Sequence, residues 1–168
     1  GEFPRFVFAP ADAGQAFRAV YRATVLAEKY QVPCFVLFDQ FLADGSWTTG
    51  RLDETVGEPV EPWAEPPTMP YRYRRYEPTG TGVSPRLLPG TPGQLVYADS
   101  DEHTAEGHIT ESAEVRNANL ARFALKEKAL AAEIETDPAW PVGDAAAAVF
   151  CFGSTKWVVR EAVERLRA

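Results

Sequence analysis

The 168-residue chain is short of sulfur and imidazole, with two cysteines, two histidines and one methionine. Cys34 and Cys151 each sit inside an apolar run, where a thiol acts as a small hydrophobe. Two such thiols make no disulfide framework, which points to a reducing compartment and a cytoplasmic location. No apolar run approaches the ~18–20 residues that cross a bilayer. The start, Gly1-Glu2-Phe3-Pro4, has neither the basic nor the apolar stretch of a signal peptide. Basic residues are also scarce, 17 against 24 acidic, for a net charge of −7. That balance argues against nucleic acid as a partner, which needs a cationic footprint to release counterions, and against an anionic membrane surface. There is no Walker loop, no G-x-G-x-x-G, no G-x-S-x-G elbow and no internal repeat. Met69 is the only methionine, so the chain reads as processed at its start or as a piece of something longer.

What is present suits a folded α/β chain. Hydrophobic residues make up 45% of it, enough for a core. Phe6-Val7-Phe8 reads as a strand, and Pro10 with Asp12 supplies a helix start. From Ala13 to Lys29, Ala16, Val20, Ala23 and Ala27, with Phe17, Tyr21 and Thr24 beside them, predict one wide apolar helix face. Val32-Pro33 stops that helix, and Cys34–Phe38 follows as a continuous apolar run, expected to be a central parallel strand covered on both faces. Asp39 and Gln40 fall at its C-terminal edge, where open α/β sheets bind ligands; capping of the strand end is the simpler reading.

From Thr48 to Pro78 prolines at 59, 62, 66, 67, 70 and 78 predict an extended connector. Within it Tyr71-Arg72-Tyr73-Arg74-Arg75-Tyr76 alternates aromatics with arginines. A stacking platform for nucleic acid has this pattern, but a strand with one aromatic and one cationic face has it too, and the acidic chain favours the strand. Gln94–Ala98 reads as another strand, and Glu111 to Glu135 as a long helix with a seam of Leu120, Phe123, Glu127, Leu130 and Ile134, ended by Asp137-Pro138. A last β–α unit follows: Ala147–Phe152, then Gly153-Ser154, with Ser154 as N-cap of a helix from Thr155 to Leu166. A lone strand and helix cannot bury a parallel sheet, so both ends of the chain look cut.

Both histidines, His103 and His108, lie among Asp99, Asp101, Glu102, Glu106 and Glu111. Imidazole with carboxylate suits zinc, iron or manganese, but a separation of five residues shares no helical face and matches no zinc spacing. A structural loop whose acids cap the following helix is the better reading. Gly153-Ser154 at a strand-to-helix turn could face a phosphate, as any such turn could.

Several stretches together resemble one family: Gly1-Glu2-Phe3-Pro4-Arg5, Ala27–Pro33 leading to Asp39-Gln40, Gly82-Val83-Ser84-Pro85-Arg86, Pro89-Gly90-Thr91-Pro92-Gly93, Asp99–His103 with Glu106–Glu111, and Gly153-Ser154-Thr155. In this order and spacing the chain is similar to the alpha subunit of 2-oxoacid:ferredoxin oxidoreductases, in the 2-oxoglutarate-type branch. The resemblance covers nearly all of the chain. It implies oxidative decarboxylation of a 2-oxo acid, 2-oxoglutarate in this branch, to an acyl-CoA, with thiamine diphosphate and magnesium, iron–sulfur clusters, coenzyme A and ferredoxin in the full complex.

It further implies that residues 1–138 are the later part of a pyrimidine-type thiamine domain, including the connector at about 48–78, and that 139–168 begin a transketolase C-terminal-like domain. The family's YPITP-type and R-x-G-P-S-T-G-type segments lie upstream of the matched part and do not occur here. The resemblance places the diphosphate and its metal on the beta subunit, and the chain has no cluster-binding cysteine spacing. No catalytic residue carries over, no bound cofactor is expected on this chain alone, and alone it is expected to be inactive. Arg86, Asp101, His103 and His108 sit inside the matched motifs as active-site or interface candidates. The alternative is a non-catalytic interaction module that keeps part of the fold.

Overall fold

The computed structural model describes residues 2–52, 63–99, 101–134 and 146–168. The middle of the proline-rich connector, the Asp137-Pro138 helix end and the expected boundary at 138/139 lie outside them. The elements are β1 (Phe6–Phe8), α1 (Ala13–Tyr30), β2 (Cys34–Val36), α2 (Gln40–Asp44), α3 (Ala113–Ala131) and α4 (Thr155–Arg167). No helix among the described residues is long and apolar enough to cross a membrane.

The chain divides into two compact units. One comprises Arg5–Ala27, Pro33–Glu58 and Ile134–Ala168. In it β1 and β2 pair in parallel, with Phe6 opposite Cys34, Val7 opposite Phe35 and Phe8 opposite Val36, the arrangement that a crossover helix imposes. Asp12 starts α1: its Oδ1 accepts from Gln15 N at 2.8 Å, and Gln15 Oε1 accepts from Ala11 N at 3.1 Å. Two otherwise orphaned amides are satisfied by this exchange. Phe6, Ala11, Ala23, Leu26 and Leu42 are the unit's buried apolar residues. The helix face is rotated from the expected one, for Leu26 is buried and Val20 is 51% exposed.

The expected double cover of β2 is corrected. Among the described residues its partner is β1, and Phe35, Leu37 and Phe38 are exposed. Burial on both faces requires neighbouring strands and helices on either side, and two strands do not supply them. Ala147–Phe152 likewise forms no strand, and Phe150 is 96% exposed; an apolar run with no ladder partner has nothing to hold it in a sheet.

The Asp39 carboxylate caps α2, accepting from Leu42 N at 2.9 Å, and also accepts from Ser154 N at 2.7 Å. These amide donors hold its pKa below the usual carboxylate value, Ser154 N first. Ser154 is not the side-chain cap expected from sequence: it is helical at φ −61° and makes no side-chain cap bond. Asp39 takes that role from a distance in sequence. Gly153 turns at φ +63°, where an added Cβ would stand 2.8 Å from Asp39 Oδ2, so the tightness of this turn favours glycine.

The other unit comprises Gly1–Pro4, Glu28–Val32 and Pro59–Glu133. It is mostly loop packed with α3, and it lacks the two strands read from its sequence. Side chains replace the ladders. Gln94 Oε1 accepts from Arg72 N and Tyr73 N, both at 3.2 Å, while its Nε2 donates to Pro67 O at 3.0 Å and Met69 O at 2.9 Å. Leu95, Val96 and Tyr97 are exposed instead of sheet-covered. Tyr73 is fastened at its hydroxyl, which donates to Pro85 O at 3.1 Å and accepts from Leu87 N at 3.2 Å.

Candidate functional site

The α3 sequence is rich in helix formers, and Ser112 Oγ caps it by accepting from Val115 N at 3.4 Å. Glu114 in its first turn and Lys128 in its last suit the helix dipole. Its inward face is not the expected seam. Asn119, Lys126 and Leu130 are buried, whereas Glu127 is exposed and Ile134 is 62% exposed. Residues 119, 122, 126 and 130 are three or four apart, one helical row, and the row is polar except for Leu130.

Each polar group on this row meets a loop. Asn119 Nδ2 donates to Glu102 Oε2 at 3.0 Å and to His103 O at 3.1 Å, and Arg116 Nη1 reaches Glu102 Oε1 at 2.6 Å. The Asn119 bond first, then Arg116, holds the Glu102 carboxyl below its usual range. Lys126 Nζ donates to Gln31 O at 3.0 Å. Burial, then the Arg122 and Arg75 charges, pull the Lys126 ammonium down to about 8.

Gln31, just past α1, adopts φ +52°, a left-handed exit from the helix. Its side chain accepts from Arg75 Nη1 at 2.8 Å and donates to Ser84 O at 2.6 Å. The Gly82–Arg86 segment acquires a physical meaning here. Gly82 is at φ +76°, and a Cβ on it would lie 2.5 Å from Arg122 O on α3, so only glycine permits this approach. Ser84 is 2% exposed. Arg86 is an ion-pair partner of Glu28, and its guanidinium lies 4.7 Å from the Trp63 ring centroid.

The histidine loop is a tight hairpin. Thr104 N donates to His108 O at 2.8 Å, Asp99 N to Gly107 O at 3.0 Å and Thr110 N to Glu102 O at 2.9 Å. Gly107 turns at φ +103° with Tyr97 O 2.2 Å from where a Cβ would stand. The two histidines have different partners. His103 stacks on Tyr76 at 3.5 Å between centroids, and burial lowers its pKa; the exposed His108 leans on Tyr97 at 4.4 Å, with Asp99 3.9 Å from its Nδ1. Asp101 is exposed at φ +60°. Among the described residues no three His, Cys, Asp or Glu side chains come together as a metal site. The acids do not cap α3 as the sequence suggested: Ser112 does, while Glu102 binds side chains further along the helix.

Of the four sequence candidates, His103 joins this network directly, Arg86 borders it through the Gly82–Arg86 segment, and Asp101 and His108 stay at its surface. Sequence reasoning missed Gln31, Arg75, Tyr76, Asn119, Arg122 and Lys126. The available signal was the row of Asn, Arg and Lys in register with Leu130, which is easily taken for a solvated helix face.

The chain combines an α/β crossover unit with a loop-rich unit that buries polar residues, and it matches a known class. The family described as "Pyruvate flavodoxin/ferredoxin oxidoreductase, thiamine diP-bdg" matches residues 2–122. The chain belongs to this family, as a relative of the alpha subunits of 2-oxoacid:ferredoxin oxidoreductases. It is 32% identical over 171 residues to 2-oxoacid:ferredoxin oxidoreductase 2, subunit alpha, of Aeropyrum pernix, covering 99% of this chain and 26% of that protein. It is 36% identical over 118 residues to 2-oxoacid:ferredoxin oxidoreductase 1, subunit alpha, of Sulfurisphaera tokodaii, covering 66% of this chain and 18% of that one. A solved 2-oxoglutarate:ferredoxin oxidoreductase from Magnetococcus marinus, with 2-oxoglutarate, coenzyme A and succinyl-CoA bound, superposes with a TM-score of 0.74 at 26% identity, over 98% of this chain and 28% of that chain. The chain thus spans about a quarter of the length of relatives it matches end to end.

Proposed function

We propose that this chain forms part of the alpha subunit of a thiamine-diphosphate-dependent oxidoreductase that oxidatively decarboxylates a 2-oxo acid, 2-oxoglutarate by preference, to its acyl-CoA and passes the electrons to ferredoxin. The observation that carries this reading is the family match across residues 2–122. The bound 2-oxoglutarate, coenzyme A and succinyl-CoA of the Magnetococcus marinus enzyme support the substrate class. In this reading residues 1–138 are the later part of the thiamine domain with its connector, 139–168 open a transketolase C-terminal-like domain, and a beta subunit completes the assembly.

The described residues do not fit the metal of a bound diphosphate, nor do the chain's cysteines fit a cluster. No acidic or imidazole trio converges among the described residues, and the two cysteines fall short of a cluster's four thiolates. No step through those groups is therefore assigned to this chain. Its share is scaffolding: the hairpin from Asp99 to Thr110 presents Asp101 and His108 at the surface as interface candidates, with Arg86 and His103 positioning the loops beneath.

The reaction itself is the test. The full-length protein with its partner subunit should reduce ferredoxin only when a 2-oxo acid and coenzyme A are both supplied, fastest with 2-oxoglutarate. No reduction with any common 2-oxo acid would overturn the oxidoreductase reading, and a clear preference for pyruvate would overturn the substrate.

A further inference from the structure

The α3 unit gathers the buried Lys126 and the half-buried Arg75 and Arg122 with no carboxylate bonded to any of them among the described residues. The Arg75 and Arg122 guanidinium groups both lie over the Tyr76 ring, 4.8 and 5.2 Å from its centroid. Lys126, one turn further along α3, is 5% exposed. The acceptors that Arg75 and Lys126 find are neutral, the side-chain and backbone oxygens of Gln31. Arg122 donates to no acceptor among the described residues, and its Nε is sealed from solvent without a partner. Glu102, the carboxylate whose charge reaches Arg122, is engaged by Arg116 and Asn119. Ser84, whose carbonyl is bonded to the Gln31 amide, is 2% exposed, and its Oγ is unpartnered too.

A buried donor without an acceptor is costly, the more so on a charged group, and the sealed Nε of the half-buried Arg122 is such a donor. Every unsatisfied side-chain group here can donate. With its face on Tyr76 and Phe123 and its Nε sealed, the guanidinium keeps its Nη1–Nη2 edge for a planar two-point acceptor.

We propose that Arg122, with Arg75 and Lys126 beside it, forms an oxyanion site that takes one carboxylate or phosphate group, supplied by a small molecule or by an acidic side chain of the same protein outside the described residues. This goes beyond the reaction proposed above and stands whether or not that reaction is found.

The test is calorimetric titration of the full-length assembly with inorganic phosphate and, separately, acetate at constant ionic strength, for the wild type, Arg122→Gln and Arg122→Lys. A small-molecule site gives saturable binding that Arg122→Gln weakens by about tenfold or more and that Arg122→Lys partly restores. If no ligand binds, an experimental structure of the assembly with an Asp or Glu carboxylate within about 4 Å of Arg122 assigns the oxyanion to the protein itself. Saturable binding that is the same in all three proteins overturns the proposal, as does the absence of both binding and a nearby carboxylate. Should Arg122→Gln fail to fold, Arg122→Lys carries the comparison, with binding weakened but not lost.

Discussion

The unit built on β1, α1 and β2 buries Phe6, Ala11, Ala23, Leu26 and Leu42, all apolar, whereas the α3 unit buries Ser84, Asn119 and Lys126 beside Tyr30, Val32, Leu87 and Leu130. The first is organised by non-directional burial, which tolerates a rotated helix face as long as some apolar stripe goes inward. The second is organised by directional bonds whose partners are far apart in sequence, such as Gln31 with Ser84 and Lys126, or Asn119 with Glu102. Such networks specify a unique arrangement when every member is satisfied and cost heavily when one is not.

The sharpest way to break that contrast is a glycine in the α3 unit. Gly107→Ala would bring a Cβ 2.2 Å from Tyr97 O at φ +103°, and it is expected to destabilise by more than about 4 kcal/mol, the range of severe backbone conflicts. Gly90→Ala, at φ +88° with open space around it, should cost only about 1–2 kcal/mol of conformational strain. Denaturant midpoints of the two variants of the full-length protein measure the difference. Equal effects would mean that backbone conformation alone, and not the close approach, sets the requirement.

Next in size is the apolar unit. Leu26→Ala, at a position 3% exposed, should cost about 2–5 kcal/mol in transfer and cavity energy. Its proteolytic sensitivity should rise in the β1–α1–β2 segment and not around α3. A smaller loss, about 1–3 kcal/mol, is expected for Gln31→Ala, which strands Ser84 O and one Arg75 donor; the thermal midpoint reads it.

The contrast also decides how much was legible in the sequence. β1, α1 and α4 could be read from apolar periodicity and breaker residues, because burial writes itself as spacing. The start of α1 was equally plain in Asp12. The strand expected at Gln94–Ala98 failed because the Gln94 amide, invisible to a pattern of apolar residues, takes the bonds a ladder would make. The aromatic alternation at Tyr71–Tyr76 misled for a related reason: Tyr73 and Tyr76 are used singly, one through its hydroxyl and one through its ring face. The polar row on α3 was hidden by the ordinary rule that Asn, Arg and Lys face water. His103 was found because histidine is rare here, although the reason for its position, the Tyr76 face, lies 27 residues earlier by the sequence numbering.

A small effect of pH follows from that stack. Burial lowers the His103 pKa below its ordinary value of 6.5, so the folded state binds this proton less readily than the unfolded one. The stability it supports is intact above pH 6.5 and is lost as pH falls through the lowered value. His103→Phe keeps a ring on Tyr76 and removes the titration, so its thermal midpoint should fall less than that of the wild type between pH 7 and about pH 5. Parallel curves would mean that His103 does not sense the fold.

Whether directional polar pairs hold the α3 unit is decided by a double-mutant cycle on Glu102 and Asn119, 3.0 Å apart. Stability would be measured for Glu102→Ala, Asn119→Ala and the double variant of the full-length protein. Strong non-additivity is expected, with a coupling of about 1–3 kcal/mol for a shared network. Additive losses, with a coupling below about 0.5 kcal/mol, would contradict it and leave Leu87 and Leu130 as what holds the unit together.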